Sequence, residues 1–267
     1  MLAYAALALL GFAVGCLGTA IGAGGGFLLV PVLVLLYPDA APETIASISL
    51  AVVAANALSG TIAYLRQRRV DIRAGLWFSA AAIPGSVLGA IAVGYLPRAS
   101  FELILGAVLL GAGVFLLSGR RKLPTEAPHH DSGPLGPQVP HHRGAGLFVS
   151  FVVGGLSSLL GIGGGIIHVP AMVHLLGFPV HVATATSHFV LATTATAGTA
   201  THIVTGAFHV GWRRAIALSV GAVIGAQVGA LLARRTAPSL LLRGLAVALL
   251  AVGARIAYQG LRAQGWL

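Results

Sequence analysis

Polar side chains that can hold an anion or carry a proton recur along one apolar stretch of the chain, residues 181–206. They are His181, His188, His202, Thr184, Ser187, Thr194 and Thr201. The histidines are separated by 7 and 14 residues, which places them on one side of a helix with the hydroxyl groups on or beside it. Because histidine ionises near neutral pH, His188 is a candidate for contact with a substrate or a proton. A hydrogen bond to a neighbouring helix is the alternative role for His188.

Two glycine-rich segments form the second group of candidates. Residues 22–31 (GAGGGFLLVP) and 161–170 (GIGGGIIHVP) share six of ten residues at a constant offset of 139. A glycine costs about 1 kcal/mol relative to alanine inside a helix, and a proline removes a backbone donor. The pattern therefore predicts a break in each helix at membrane depth. The residues expected to make these breaks are Gly22, Pro31, Gly161 and Pro170.

A helix broken in this way supplies an anion site. The half-helices are expected to begin near Phe27 and Ile166, where free N–H groups and the positive end of the helix dipole attract negative charge. Polar residues at matching positions of the two halves complete the predicted site, and His168 stands where the first half has Leu29. The predicted substrate contacts are Gly24, Gly25, Gly26, Ser49, Asn56, Gly163, Gly164, Gly165, His168, Ser187, His188 and Thr194.

The composition places these segments in a membrane. Apolar residues make up 57% of the 267 residues and charged residues only 8%, whereas soluble domains carry about 25% charged residues. The net charge of +10 is therefore read as a signal of membrane topology, and no nucleic-acid partner is predicted. Asp39, Glu43 and Asp71 lie only at segment ends, which favours an anion over a cation as cargo. With one cysteine, Cys16, the sequence predicts no metal site and no cofactor.

Eight apolar stretches are long enough to form membrane helices. They cover residues 2–37, 43–65, 74–96, 99–118, 146–177, 181–206, 212–233 and 238–259. Because the glycine motif occurs twice, the sequence predicts an all-α polytopic membrane protein of two tandem four-helix repeats, each beginning with a glycine-broken helix. The repeats are residues 1–118 and 146–267. An even number of crossings in each repeat predicts two halves of the same orientation, related by an axis along the membrane normal.

Residues 119–145 separate the two repeats. They hold five prolines, clustered charges and four histidines, a composition typical of a flexible aqueous linker. Their proline-rich context favours an unstructured loop, and a Zn or Ni site on the pairs His129–His130 and His141–His142 is the alternative. The basic residues expected to mark cytoplasmic loops are Arg66, Arg68, Arg69, Arg73, Arg120, Arg121, Lys122, Arg143, Arg213 and Arg214. This arrangement puts the linker and both termini in the cytoplasm, and Arg234 and Arg235 do not fit it.

The chain resembles a known family in the motif G-x-G-G-G-x-x-x-V-P near the start of each half, followed by a serine-containing helix and a helix with G-x-x-x-G-A. It is similar to the TauE/SafE family of sulfite exporters over nearly all residues outside the linker. The matching positions are the glycines and prolines of both motifs together with Ser47, Ser49 and Ser187.

The resemblance implies a secondary transporter in the cell inner (cytoplasmic) membrane. Its cargo would be sulfite, a sulfonate or a related sulfur-containing or organic anion, driven by an ion gradient with a coupling proton or cation. Whether the protein forms a homodimer in the lipid bilayer is left open. A passive anion channel is the first alternative, because the same helix ends would serve a pore. An intramembrane enzyme is the second, although the chain has no H-E-x-x-H and no G-x-S-x-G motif.

Overall fold

The computed structural model describes residues 2–118, 143–208, 211–233 and 238–264, and these residues are helical without any strand. The helices are α1 (Leu2–Ile21), α2 (Gly26–Leu36), α3 (Pro42–Arg66), α4 (Ile72–Ala92) followed by a 3-10 turn (Val93–Tyr95), α5 (Arg98–Ser118), α6 (Arg143–Leu160), α7 (Gly165–His174), α8 (Val180–Val204), α9 (Trp212–Leu232) and α10 (Pro238–Ala263). All eight apolar stretches therefore form helices, and the two with a glycine motif form two helices each.

Several of these helices are suited to a membrane. Within the described ranges, five are long and apolar enough to cross one: Tyr4–Ile21, Pro42–Arg66, Ile72–Tyr95, Arg98–Leu117 and Trp212–Leu232. α8 has the same length as α3, 25 residues, but it is not among the five because of its threonines and histidines. It is placed inside the bundle, where His188 and His202 are fully buried.

Glycine ends α1 where the sequence predicts a break. Gly22 adopts a left-handed φ of 79°, and the N–H of Ala23 donates to the carbonyl of Gly18 at 2.8 Å. The N–H of Gly22 donates to the carbonyl of Thr19 at 3.0 Å, and the two bonds together form a Schellman motif. Gly161 has a φ of 69° at the equivalent position after α6. A residue with a side chain would be strained in this conformation.

The prolines do not take part in the breaks. Pro31 and Pro170 lie inside α2 and α7, each five residues after the helix begins. A proline there removes one hydrogen bond, to the carbonyl of the residue four positions earlier, and the helix continues past it. The prediction that these prolines break the helix is therefore wrong, because the left-handed glycines alone release the chain.

Each broken segment turns back on itself. Along α6 and α7, Gly164 donates from its N–H to Ser157 Oγ at 2.7 Å, and Ser150 Oγ is hydrogen-bonded to His168 Nε2 at 3.0 Å. Residue numbers fall on α6 as they rise on α7, so the two helices are antiparallel. We call α1 with α2 the first hairpin and α6 with α7 the second hairpin. In the first hairpin the chain returns so that Gly25 lies against Val14.

The bundle has two ends, which we call the linker face and the terminal face. The linker face holds the end of α3 and the starts of α4, α6 and α8; there the N–H of Asp71 donates to Thr186 Oγ1 at 3.0 Å. The terminal face holds the start of α3 and the end of α8, where Ser47 Oγ donates to the carbonyl of Ala207 at 3.4 Å. α3 and its counterpart α8 therefore run in opposite directions.

The two halves are inverted, so the prediction of equal orientation about an axis along the membrane normal is wrong. A hairpin that starts and ends at one face makes no net crossing, which leaves three further long helices in each half. An odd number of crossings inverts the second half relative to the first. Apolar length alone does not distinguish a broken helix that continues across the membrane from one that turns back.

The first helix of each hairpin packs against a long helix of the other half, and small residues lie at these contacts. α1 lies along α9, with Gly221 against Ala8 and Gly225 against Phe12, while α6 lies along α4. Because glycine has no side chain, the backbone of the neighbouring helix can approach closely, as in other membrane helix pairs. α5 pairs with α10 in the same bundle.

Two further predictions change, one about the boundary of the linker and one about the side of the bundle on which the chain begins and ends. α6 begins at Arg143, so residues 143–145 belong to a helix and not to the linker. α1 begins and α10 ends at the terminal face, whereas α6, which follows the linker in sequence, begins at the linker face. These helix ends are therefore not on one side of the bundle, contrary to the prediction. The remaining linker residues 119–142, with all four of its histidines, lie outside the described residues.

Candidate functional site

The turns of the two hairpins meet in the middle of the bundle. A Cβ built on Gly26 would lie 2.5 Å from the carbonyl oxygen of Ile162, and one built on Gly165 would overlap the carbonyl oxygen of Gly22. The internal repeat relates the two contacts, because each helix start packs on the turn of the other hairpin. No side chain larger than a hydrogen fits at either position without a shift of backbone.

Both half-helices begin inside protein, and at the α7 start Ser157 Oγ accepts from the N–H of the N-cap residue Gly164 at 2.7 Å. α2 starts at Gly26 and α7 at Gly165, each one residue before the predicted start, and neither N-cap residue makes a side-chain cap. The first-turn N–H groups of a helix have no partner within that helix, and they carry about half a positive charge together. The glycine turns therefore direct two positive helix ends toward the centre of the bundle.

A small cavity lies at the start of α7. Its lining is Ala82, Ser150, Val153, Gly154, Ser157, Gly164, Gly165, His168, Ser187, Val190, Leu191 and Thr194. The cavity has a volume of about 10 Å³, close to the space that one water molecule needs. Five of the predicted contact residues meet here, namely Gly164, Gly165, His168, Ser187 and Thr194.

Ser187 has a hydroxyl group available to a ligand in this cavity. The residue is 1% exposed, and its Oγ has no hydrogen-bond partner among the described residues. A buried polar group without a partner loses its hydration without compensation, so such groups are uncommon in folded proteins. The Thr194 hydroxyl is different, because it donates to the carbonyl of Val190 on its own helix at 2.9 Å.

His168 lies at one side of the cavity. Besides its bond to Ser150, its ring meets the edge of Phe78 at a centroid distance of 5.7 Å. His168 also lines a crevice between the start of α6 and the end of α7 that leads toward the linker face and is too narrow for a water molecule. The residues that line the cavity are all buried, and His168 is shared by the cavity and this crevice.

The remaining predicted contacts are not in this cavity. Asn56 Nδ2 donates to the carbonyl of Gly24 at 3.2 Å, and Thr19 Oγ1 donates to Asn56 Oδ1 at 3.2 Å. Thr19 Oγ1 also lies 3.5 Å from His188 Nε2, and Tyr64 packs edge-on against the His188 ring. His188 therefore lies in a buried cluster with Asn56 and Thr19, and its Nδ1 has no hydrogen-bond partner among the described residues. Its role, as a substrate or proton contact or as an interhelical hydrogen bond, stays a prediction.

Ser49 and the other glycines make contacts within the protein. Ser49 Oγ donates to the carbonyl of Gly161 at 2.6 Å, whereas its counterpart Ser187 has no such bond. Side chains or backbone of neighbouring helices occupy the space beside Gly24, Gly25 and Gly163. These residues shape the hairpin turns and do not line the cavity.

Four polar residues of these two clusters were missed by reasoning from the sequence: Thr19, Tyr64, Ser150 and Ser157. Ser150 and Ser157 are seven residues apart on α6, the spacing that identified His181 and His188. Applied to residues 146–177, the same helical spacing would have found them. Thr19 and Tyr64 carry no comparable signal, because only the packing of α1 against α3 brings them together.

The lining of the cavity carries no Asp, Glu, Lys or Arg. The described part of the chain also has no group of three or more His, Cys, Asp or Glu residues that is arranged to hold a metal ion. The chemistry on offer is hydrogen bonding from hydroxyl, imidazole and backbone N–H groups together with a helix dipole.

Interrupted helices in two inverted halves that meet around a buried site are an arrangement that many membrane transporters share. The chain belongs to the family described as sulfite exporter TauE/SafE, which it matches over residues 7–256. This confirms the family resemblance, and the protein is a multi-pass membrane transporter.

Relatives from two bacteria support this assignment. The chain is 31% identical to the "Probable membrane transporter protein YunE" of Bacillus subtilis (strain 168), covering 97% of this chain and 99% of the relative. It is 28% identical to a "Probable membrane transporter protein" of Xylella fastidiosa (strain 9a5c), covering 86% and 84% of the two chains. No solved structure matches the chain. The relatives' names agree with a membrane transporter.

Proposed function

We propose that the protein is a secondary transporter of a small anion and that the cavity at the start of α7 is its substrate site. The observation that carries the proposal is the Ser187 hydroxyl, which is buried beside the start of α7 and has no hydrogen-bond partner among the described residues. An anion there would accept hydrogen bonds from Ser187 and from first-turn N–H groups. The family description supports sulfite as the cargo, and we propose sulfonates as the related class.

The closed site favours a transporter over a passive channel. Its volume of about 10 Å³ does not hold an anion of this size, and the crevice beside His168 is narrower still. Transport through it requires a change of shape that opens the site to one face at a time. Inverted repeats provide this change, because each half can adopt the conformation of the other.

We also propose that the linker face is cytoplasmic. Its described loop carries Arg66, Arg68, Arg69 and Arg73, and Arg234 and Arg235 stand in sequence between helix ends of the same face. The terminal face carries fewer basic loop residues, including Arg98, Arg213 and Arg214. The excess of positive charge supports this orientation. It accounts for Arg234 and Arg235, which did not fit the orientation predicted from the sequence, and it puts the start of α1 and the end of α10 outside.

Uptake into proteoliposomes tests the function. Purified protein is given labelled sulfite with and without an imposed pH gradient, and empty liposomes are the control. We expect uptake that saturates with concentration and accumulates the anion when the gradient is present. Uptake that rises linearly with concentration and only follows the anion's own gradient would identify a channel. No uptake of any small anion would contradict the proposal.

A further inference from the structure

His202, near the end of α8, has a buried ring that makes no hydrogen bond. The residue is fully buried, and neither Nδ1 nor Nε2 has a hydrogen-bond partner among the described residues. A neutral imidazole has one N–H group to donate and one nitrogen to accept, so both of its hydrogen-bonding groups are unmet. Buried polar groups nearly always have a partner in the protein, in water or in a ligand. The ring of His202 therefore points to a polar partner from outside the chain.

The internal repeat shows what a bonded residue does at this place. The offset of 138 that relates Gly60 to Gly198 also relates Tyr64 to His202. Tyr64 Oη donates to the carbonyl of Thr19 at 2.7 Å, and this bond ties the end of α3 to the end of α1. The ring of His202 makes no corresponding bond, although it is buried to the same degree. The structural role of this position is therefore present in the first half and missing in the second.

One side of α8 connects His202 with the cavity at the start of α7. Thr194, Gly198 and His202 follow one another at intervals of four residues, so they lie on the same side of the helix. Thr194 lines the cavity. His202 lies about 12 Å farther along the helix, at a rise of about 1.5 Å per residue, in the direction of the terminal face.

Two hydroxyl groups of other helices lie against this side of α8. Ser86 Oγ and Ser158 Oγ are 2.6 Å apart, and a Cβ built on Gly198 would lie 3.0 Å and 2.7 Å from them. Ser86 donates to the carbonyl of Thr194 at 2.7 Å, which leaves Ser158 as the donor between the two hydroxyl groups. The hydrogens of both serines are therefore used within the protein, whereas the N–H group of His202 is free. We call these five residues the terminal path.

A leucine closes the terminal path in this structure. A Cβ built on Gly198 would lie 2.5 Å from Leu50 Cδ2, so the tip of this side chain fills the space beside the glycine. Leu50 is the counterpart of His188 at the offset of 138. A side-chain tip can rotate away from its neighbour, whereas backbone cannot. The closure of the terminal path is therefore of a kind that a change of side-chain or helix position can open.

We propose that the terminal path connects the cavity with the terminal face and that His202 binds the passing anion through a ring N–H group. This inference rests on the proposed function, since it adds one exit of the same transporter. The five residues include no carboxylate that would repel an anion. Imidazole and hydroxyl groups can replace part of the hydration that an oxyanion loses inside the bundle. Leu50 keeps this exit closed while the cavity is not open to the terminal face.

Thiol labelling from one side of the membrane tests the path. In a Cys16→Ser background, His202→Cys is compared with Ala200→Cys, which lies at nearly the same depth on the opposite, exposed side of α8. The probe is the anionic reagent 2-sulfonatoethyl methanethiosulfonate, which does not cross membranes and reacts with thiols in water. Arg213→Cys, at an exposed position of the terminal face, shows from which side that face is reached. Intact and permeabilised cells are compared.

We expect His202→Cys to react from the same side as Arg213→Cys and at least tenfold faster than Ala200→Cys. The reason is that an opened path fills with water, whereas a thiol on the outer side of α8 stays in hydrocarbon. Reaction from the other side only, or no faster than that of Ala200→Cys, would overturn the path whichever anion the protein carries. If His202→Cys is not inserted, Ala195→Cys replaces it, as a smaller change two turns earlier on the same side of α8.

Two further substitutions test whether the ring of His202 contacts the anion. His202→Gln keeps a donor and an acceptor, and we expect its initial uptake of labelled sulfite to stay within threefold of the wild type. His202→Leu has neither, and its uptake should fall at least tenfold. Because the ring makes no hydrogen bond to a described group, the Tm of His202→Leu in detergent should not fall.

The combination of uptake and Tm separates transport from stability. Normal uptake by His202→Leu would remove the ring from the path, and a loss of uptake together with a lower Tm would assign it a structural role instead. If the wild-type protein moves no anion, the proposed function fails, while the labelling of His202→Cys still decides whether the path opens to the terminal face.

Discussion

Two serines at equivalent positions have different roles. Ser49 and Ser187 are both buried, yet Ser49 donates to the carbonyl of Gly161 in the second hairpin turn and Ser187 donates to no described group. The repeat gives both residues the same place on their helices, at an offset of 138. The structure thus assigns a structural bond to one serine and an available hydroxyl to the other.

This difference makes a prediction about stability. Ser49→Ala leaves the carbonyl of Gly161 without its partner, and we expect a loss of about 1–3 kcal/mol in the free energy of unfolding. Ser187→Ala breaks no hydrogen bond to a described group, so the loss should be well under that of Ser49→Ala. Thermal unfolding in detergent measures both variants against the wild type. Equal losses would mean that the Ser49 bond does not hold the second hairpin turn.

At the scale of elements, the hairpins depend on glycine at their crossing point. Gly26 and Gly165 are the first residues of α2 and α7, and each lies against the backbone of the other hairpin's turn. A backbone neighbour cannot rotate away as a side chain can. The position of both helix starts, and with them the anion site, is therefore tied to the absence of a Cβ.

Gly165→Ala should reduce sulfite uptake at least tenfold in protein that is still inserted. The added methyl group would overlap the carbonyl of Gly22 and move the start of α7 away from Ser187. Gly111→Ala is the matched control, because a Cβ on Gly111 meets nothing within 4 Å. Membrane insertion is checked by the yield of monodisperse protein. Full uptake by Gly165→Ala would show that the crossing point tolerates a shift and would weaken the assignment of the site.

At the scale of the whole molecule, inversion of the halves sets which loops share a face. The start of α9 lies at the terminal face, because α9 runs parallel to α1 and Arg214 stacks on Tyr37 at 4.1 Å. In the orientation predicted from the sequence, the same loop is cytoplasmic together with the α3–α4 loop. The two arrangements differ in whether Arg68 and Arg213 are on one side of the membrane or on opposite sides.

Thiol labelling in cells distinguishes them. In a Cys16→Ser background, which removes the single native thiol, Arg213→Cys and Arg68→Cys each place one cysteine at an exposed position. We expect a membrane-impermeant maleimide to label Arg213→Cys in intact cells and Arg68→Cys only after the cells are permeabilised. Labelling of both from the same side would contradict the inverted arrangement. The reverse pattern would retain the inversion and reverse the assignment of the cytoplasmic face.

The sequence alone determined the properties that depend on local chemistry. Hydropathy located the helical segments to within a few residues, and the glycine runs located both breaks, since left-handed φ angles depend on the residue itself. The doubled motif also identified the family and the class of protein. Proline positions were misread because the cost of a proline depends on whether the rest of the helix is held by packing, as α2 and α7 are.

The tertiary structure decided what depends on direction and on contact. Whether the chain continues or returns after Gly22 has no signature in apolar length, so the parity argument failed and the halves proved to be inverted. Tertiary packing also decided which polar residues share a site. His188 joined Asn56 and Thr19, while Ser187, one position earlier, reached the cavity with His168. Neighbouring side chains on a helix point about 100° apart, and only the packing of α8 between α3 and α4 settles which partner each one meets.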